Sequence, residues 1–188
     1  MSNLEALEAR IDRLESHNKI VQLATAYAVA CDEHDMDRLI NLFTENAIFD
    51  SPSGFMKATG RKEIFDIFVE MFKIRGPGYH WTHDVCVHIN ADNPDSASGT
   101  VYSHAETCPN DVVSIAAMRY RDEYQREEGV WRFSLREISF LYYVPFKDFD
   151  KNLISPNRLY VGGEWLEADY PEKLPVWKAF EASYKNKK

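Results

Sequence analysis

Tyr27, Asp32, His83 and Arg136 are the side chains of this chain that could carry acid–base chemistry if the fold brings them together. Asp32 lies in YAVACDEHDMDRL (27–39), one position past an apolar helix face through Tyr27, Ala28 and Cys31. It could end that helix in water, or look into a core. In HWTHDVCVHI (80–89), His83 shares alternating parity with Val85, Val87 and Ile89, so it reads as the ionisable group on an inward row. A core histidine bonded to backbone is the plain alternative. A buried carboxylate partner would fix its tautomer and raise its basicity, and Asp32 is the natural candidate. Together they would form a general base. Tyr27 could donate to a developing oxyanion, or be a core aromatic with its hydroxyl at the rim. Arg136, in VWRFSLREISF, could stabilise negative charge. Its parity opposes that of Trp131, Phe133 and Leu135, so it could equally face solvent.

Other chemistries find less support. His80, His83 and His88 invite a metal reading, but Asp84 and His88 alternate to the face opposite His83, and ligands must converge. Nucleophile elbows, phosphate loops and dinucleotide fingerprints are absent. Cys31, Cys86 and Cys108 are odd in number, far apart and without an adjacent base, which suits free thiols in a reducing compartment. No metal and no cofactor are expected. The net charge of −8 over 188 residues argues against nucleic acid and anionic membranes as partners. The charged start MSNLEALEARIDRLE has no signal core, so a cytoplasmic protein is expected.

The elements that must position these residues follow from periodicity. Ser2 and Glu5 form a capping box before Leu4, Leu7, Ile11, Leu14, Ile20, Leu23 and Tyr27, predicting a helix from about Asn3 to Glu33. Asp35 caps a shorter helix, and GRKEIFDIFVEMFKI (60–74) gives a third with Phe68 in its apolar stripe. Residues 80–89, 96–108, 112–126 and 130–144 then alternate as four long strands joined by turns. The expected fold is α+β, a cone-shaped barrel of three N-terminal helices on a curved antiparallel sheet. Residues 1–143 form that domain, and 144–188 an extension whose aromatics cover the pocket or a neighbouring subunit. Tyr102 and His104 share a face of the second strand. With Phe68, Phe140 and Tyr142 they are the expected substrate-binding lining.

DEHDMDRLINLFTENAIF, the strand THDVCVHI and the segment DEYQREEGVWRF together resemble the SnoaL-like branch of the nuclear transport factor 2-like superfamily, over about residues 5–143. Within it the likeness is to cofactor-free lyases: the bile acid 7α-dehydratases, scytalone dehydratases and hexachlorocyclohexane dehydrochlorinases. The resemblance implies an Asp–His dyad at Asp32 and His83, with a catalytic tyrosine at Tyr27 and an arginine at Arg136. It also implies a homotrimer. The expectation is a cofactor-independent dehydratase acting on a bulky apolar substrate such as a hydroxysteroid. Isomerase or polyketide cyclase chemistry with the same base is the alternative, as is a non-catalytic assembly subunit of the ring-hydroxylating dioxygenase β type.

Overall fold

The computed structural model describes residues 2–54 and 56–185. Ser2 and Glu5 cap each other's backbone amides and open α1 (Asn3–Asp32). In its first half Leu4, Leu7, Ile11 and Leu14 are exposed, while farther on Ile20, Leu23, Ala24, Tyr27 and Cys31 are buried. The helix stops at His34, whose left-handed backbone (φ 54°) turns the chain and stacks its ring on Phe72. Asp35 accepts from the Arg38 amide to start α2 (Met36–Asn41). β1 (Phe43–Asp50) and β2 (Lys57–Thr59) follow, then α3 (Gly60–Arg75).

Four long strands come next: β3 (Gly78–Ile89), β4 (Ser96–Thr107), β5 (Ser114–Glu127) and β6 (Val130–Pro145). They pair antiparallel in succession, and the order along the sheet is β2-β1-β6-β5-β4-β3. The sheet is mixed, because β1 runs parallel to β6. The chain leaves β2 through α3, enters the meander at its far edge, and returns to β1 only with its last long strand. Helices pack on one face of this curved sheet, giving an α+β cone with its core between the layers. Arg126 on β5 forks onto Asp12 and reaches Ser16, pinning α1 across it.

Three irregularities decide which side chains face the core. In β3, His83 pairs with Tyr102 but Cys86 with Thr100, so one extra residue is accommodated at Asp84, whose φ is 38°. In β6, Ser134 and Leu141 are likewise extra against β5. Each such bulge swaps inward for outward alternation.

Beyond β6 lie α4 (Phe149–Asn152), β7 (Leu159–Val161), β8 (Glu164–Leu166) and α5 (Pro175–Phe180). β7 pairs parallel with β6, and Leu159 and Ala168 enter the core. Asp169 exchanges hydrogen bonds with the Phe140 backbone, and Arg158 Nε donates to the Leu141 carbonyl at 2.6 Å, so this segment fills the polar gap opened by the Leu141 bulge. Phe146, Trp177 and Phe180 are exposed, whereas Phe149 packs on Tyr142 and Tyr160 on Trp165. The last three residues of the C-terminal stretch read as helical lie outside the described residues. No helix among those described is long and apolar enough to cross a membrane.

Candidate active site

α1 delivers Asp32 from its last turn, and β3 delivers its partner from the first residues of the strand. That partner is His80. His80 Nδ1 lies 2.6 Å from Asp32 Oδ1, and the His80 backbone amide donates to Oδ2 at 2.8 Å. Burial alone would push the Asp32 carboxyl up, but both bonds from His80 and the positive charge of Arg75 hold it below the usual range. An ionised carboxylate only accepts, so Nδ1 carries the imidazole proton and Nε2 keeps its lone pair. Burial, and then the charges of Arg75 and Arg136, depress the His80 pKa against the pull of Asp32. The ring is therefore neutral near neutral pH, ready to accept a proton.

His83 does not join this pair. The extra residue at Asp84 puts His80 and Thr82 inward before the bulge, and Val85, Val87 and Ile89 inward after it. His83 is exposed on the outer face, edge-on to His104 at 5.1 Å. The expected Asp32–His83 dyad is thus corrected to Asp32–His80. The same outer face carries His104 and Tyr142, which with Trp81 and His83 line a hollow of about 350 Å³ that neither Asp32 nor His80 lines. Tyr102 is turned outward too, its hydroxyl 3.2 Å from that of Tyr170 in the C-terminal segment. These three do not share an interior with the dyad. Phe68 and Phe140 do lie inside: Phe68 meets Tyr27, Phe49 and Phe72, and Phe140 stacks on Tyr143.

Arg136 points inward because Ser134 is a bulge residue. It is 1% exposed, with its guanidinium carbon 4.0 Å from the Tyr27 ring centre, 3.9 Å from Tyr120 and 4.3 Å from Phe133. Cation–π contact of this kind strengthens when desolvated. Its Nε sits 3.3 Å from Asp122 Oδ1, and Nη1 has no hydrogen-bond partner. Burial drives the Asp122 carboxyl up to about 6 despite Arg136 and the Tyr124 hydroxyl, which donates to it at 2.9 Å. Tyr27 is buried among Phe43, Phe68, Tyr120 and Phe133, one helical turn before the equally buried Cys31. Burial raises both well above their ordinary values, Cys31 to about 12, so neither is a ready acid.

Along one inner row of the sheet, His80, Ala105, Ala116 and Tyr143 are cross-strand neighbours. The imidazole and the phenol thus flank two small side chains, and the Tyr143 hydroxyl is fixed at 2.9 Å from Thr107 Oγ1. The arrangement offers a neutral base oriented by a carboxylate, a fixed positive charge acting on it, and a phenol two small side chains away. Arg75, the last residue of α3, completes it: its Nη2 is 3.3 Å from Asp32 Oδ1 and 3.2 Å from His80 Nδ1. Sequence reading passes over Arg75, because a cation at a helix end before Gly-Pro-Gly looks solvated. It passes over His80 because strict alternation puts it opposite Val85.

The search of curated protein sequences gave no significant match. Among solved structures, the chain is similar to LinA at 21% identity and TM-score 0.68, covering 73% of this chain and 94% of that one. A putative scytalone dehydratase from Novosphingobium aromaticivorans aligns at 18% identity and TM-score 0.66, over 73% and 91%. A putative aromatic ring hydroxylase, also from Novosphingobium aromaticivorans, aligns at 26% identity and TM-score 0.64, over 73% and 98%. These likenesses carry the cone fold, with its helices on a curved, unclosed sheet. Residues 12–137 match the SnoaL-like domain, more than half of the sequence; the chain belongs to this family of the NTF2-like superfamily.

Proposed function

We propose that this protein is a cofactor-independent lyase, a dehydratase that removes water from a bulky, largely apolar hydroxylated ketone such as a hydroxysteroid. The observation that carries the reading is the 2.6 Å contact between Asp32 and a His80 imidazole on the inner face of the sheet. His80 Nε2 takes the proton from the carbon beside the carbonyl, and Asp32 holds the resulting imidazolium. The electron pair of that C–H bond becomes the enolate, stabilised by the fixed charge of Arg136 and a hydrogen bond from Tyr27. Collapse of the enolate forms the double bond and expels the β-hydroxyl, which leaves as water with the proton returned by His80. Tyr27 acts as a donor rather than a proton source, since burial raises its pKa so far. Neighbours named as a hexachlorocyclohexane dehydrochlorinase and a putative scytalone dehydratase support the reaction class.

A second reading is a non-catalytic assembly subunit, favoured by the 26%-identical neighbour named as an aromatic ring hydroxylase. In either case we propose a homotrimer, supported by the exposed Leu4, Leu7, Ile11 and Leu14 stripe and by Trp81 on the open sheet face. A single-chain mass in light scattering would remove that assignment.

The test is mass spectrometry of the purified protein with a panel of hydroxylated 3-keto steroids in heavy water, alongside His80→Gln and His83→Ala. Water loss that His80→Gln slows by about 10²–10⁴-fold, and His83→Ala leaves within a few-fold, is expected. Deuterium uptake without water loss would move the assignment to isomerase or cyclase. Turnover that survives His80→Gln intact would exclude the dyad mechanism.

A further inference from the structure

Asp32 is poorly placed as an anion by its own helix. It sits in the last turn of α1, where the helix dipole is negative, and that turn holds no basic residue. Arg75 supplies the missing charge from the C-terminal end of α3, where a cation is itself favoured. Its guanidinium is mostly buried, lies 5.6 Å from the Phe72 ring, and leaves Nε without a hydrogen-bond partner. A buried donor left unpaired costs free energy, so the position is held by what the rest of the group contacts, which is Asp32.

Gly78 explains how the guanidinium gets there. It is buried at the start of β3, opposite Thr107, and does not adopt a left-handed backbone. Any residue could take its conformation, so flexibility is not the reason for glycine. A Cβ at this position would stand 2.6 Å from Arg75 Nη2, 2.7 Å from Nε and 3.0 Å from Cζ. Real Cβ atoms do not approach so closely. The atoms met belong to the far end of a long side chain, so alanine there would move Arg75 and not the backbone.

We propose that Arg75 is a third member of the site, a positioning residue that holds the Asp32 carboxylate against His80 and sets the pH at which the imidazole takes a proton, and that Gly78 is the gap in β3 that admits it. The role rests on the dyad reading above. The other ionisable groups around this corner are Tyr27 and Cys31 on α1, Tyr120 and Asp122 on β5, and Arg136 and Tyr143 on β6, with Cys108 just past β4. Of these, Arg136 acts on His80 in the same sense as Arg75, but its own carboxylate partner is Asp122. Among the described residues, Arg75 is the side chain that touches both members of the pair.

The experiment needs no substrate. The His80 imidazole is titrated by NMR in wild type, Arg75→Met, Arg75→Lys and Gly78→Ala, with His80→Gln identifying its resonance. Arg75→Met removes a positive charge from beside the ring, so its midpoint should move to higher pH. Gly78→Ala should move it the same way while thermal unfolding stays near wild type, and Arg75→Lys should return most of the way. An unchanged midpoint in a folded Arg75→Met variant would overturn the proposal, and so would a Gly78→Ala titration matching wild type. Where turnover is found, its acid limb falls about tenfold per pH unit below the pKa of the base. On that limb Arg75→Met and Gly78→Ala should lag wild type and rejoin it at the plateau. A titration that shifts in a protein without turnover would separate this role from the lyase assignment.

Discussion

At the scale of single residues, the site depends on keeping one histidine neutral and two carboxylates charged in an interior that resists charge. Asp32 achieves this by accepting from His80 twice and from Arg75 once, so its lone pairs are well occupied. Asp122 is less well served: its Oδ1 faces Arg136 at 3.3 Å without a linear hydrogen bond, and its pKa rises to about 6. His80 has the opposite linkage sign from Asp122. Burial lowers its folded pKa beneath the unfolded value of about 6.5, so between the two values the unfolded chain binds more protons. Its contribution is present above about pH 6.5 and is lost as pH falls through the folded pKa. Asp122, raised, contributes in the reverse direction, fully below about pH 3.8 and lost as pH rises through about 6. Comparing wild type with His80→Gln cancels the Asp122 contribution, because both proteins carry it. The stability of wild type relative to His80→Gln, from urea unfolding, should therefore be smaller at pH 5.5 than at pH 7.5. A difference that stays level or grows on acidification would mean His80 is not held neutral by burial.

At the scale of elements, β-bulges choose the site. His80 faces Asp32 and His83 faces solvent because β3 takes in one extra residue at Asp84, and Arg136 turns inward because β6 does so at Ser134. Asp84 carries the cost openly, with a left-handed φ of 38° on an exposed side chain. Glycine tolerates that backbone and a β-branched residue does not. Asp84→Gly should leave stability unchanged or slightly raised, while Asp84→Val should cost about 1–2 kcal/mol in chemical denaturation. Equal stability of the two variants would mean that the bulge relaxes freely. The bulges also mark what the sequence made legible. The capping box, the helical stripe ending at Tyr27 and the four alternating strands follow from periods of 3.6 and 2, and the structure contains all of them. Asp32 could be singled out because it follows an apolar face. Its partner could not, since a period of 2 counted through Asp84 assigns His83 to the row of Val85 and Val87, when the residues that precede the shift on that face are Gly78, His80 and Thr82. A trace was present: aspartate is a poor strand former between His83 and Val85, and such a residue marks a bulge as readily as a solvated position. Arg75 left a fainter one in Gly78, a glycine whose purpose appears only when the guanidinium beside it is seen.

At the scale of the whole molecule, residues after β6 behave as two different things. The first part is welded on. Leu159 is completely buried, Ala168 lies in the core, and Asp169 and Arg158 satisfy backbone groups of Phe140 and Leu141 that the β6 bulge leaves open. Arg158 also reaches the Tyr170 carbonyl and Glu172, and Arg119 lies 4.1 Å from the Tyr170 ring centre, carrying the segment round to the outer sheet face. The second part, α5, offers Val176, Trp177 and Phe180 to solvent and has no residue in the core. Length along the chain is therefore a poor guide to what each part contributes. Among the described residues, removing everything after Lys173 takes away no buried side chain, only exposed and half-buried ones such as Leu174, and the unfolding midpoint should stay near that of the full chain. Removing everything after Pro145 takes Leu159 from the core, at about 1.5–3 kcal/mol, and strips hydrogen bonds worth about 1 kcal/mol each from buried backbone groups. That chain should lose more than about 3 kcal/mol and expose the end of the cone nearest Phe140. If the two truncations cost the same, the welded segment would be a surface strap, and the core would end with β6.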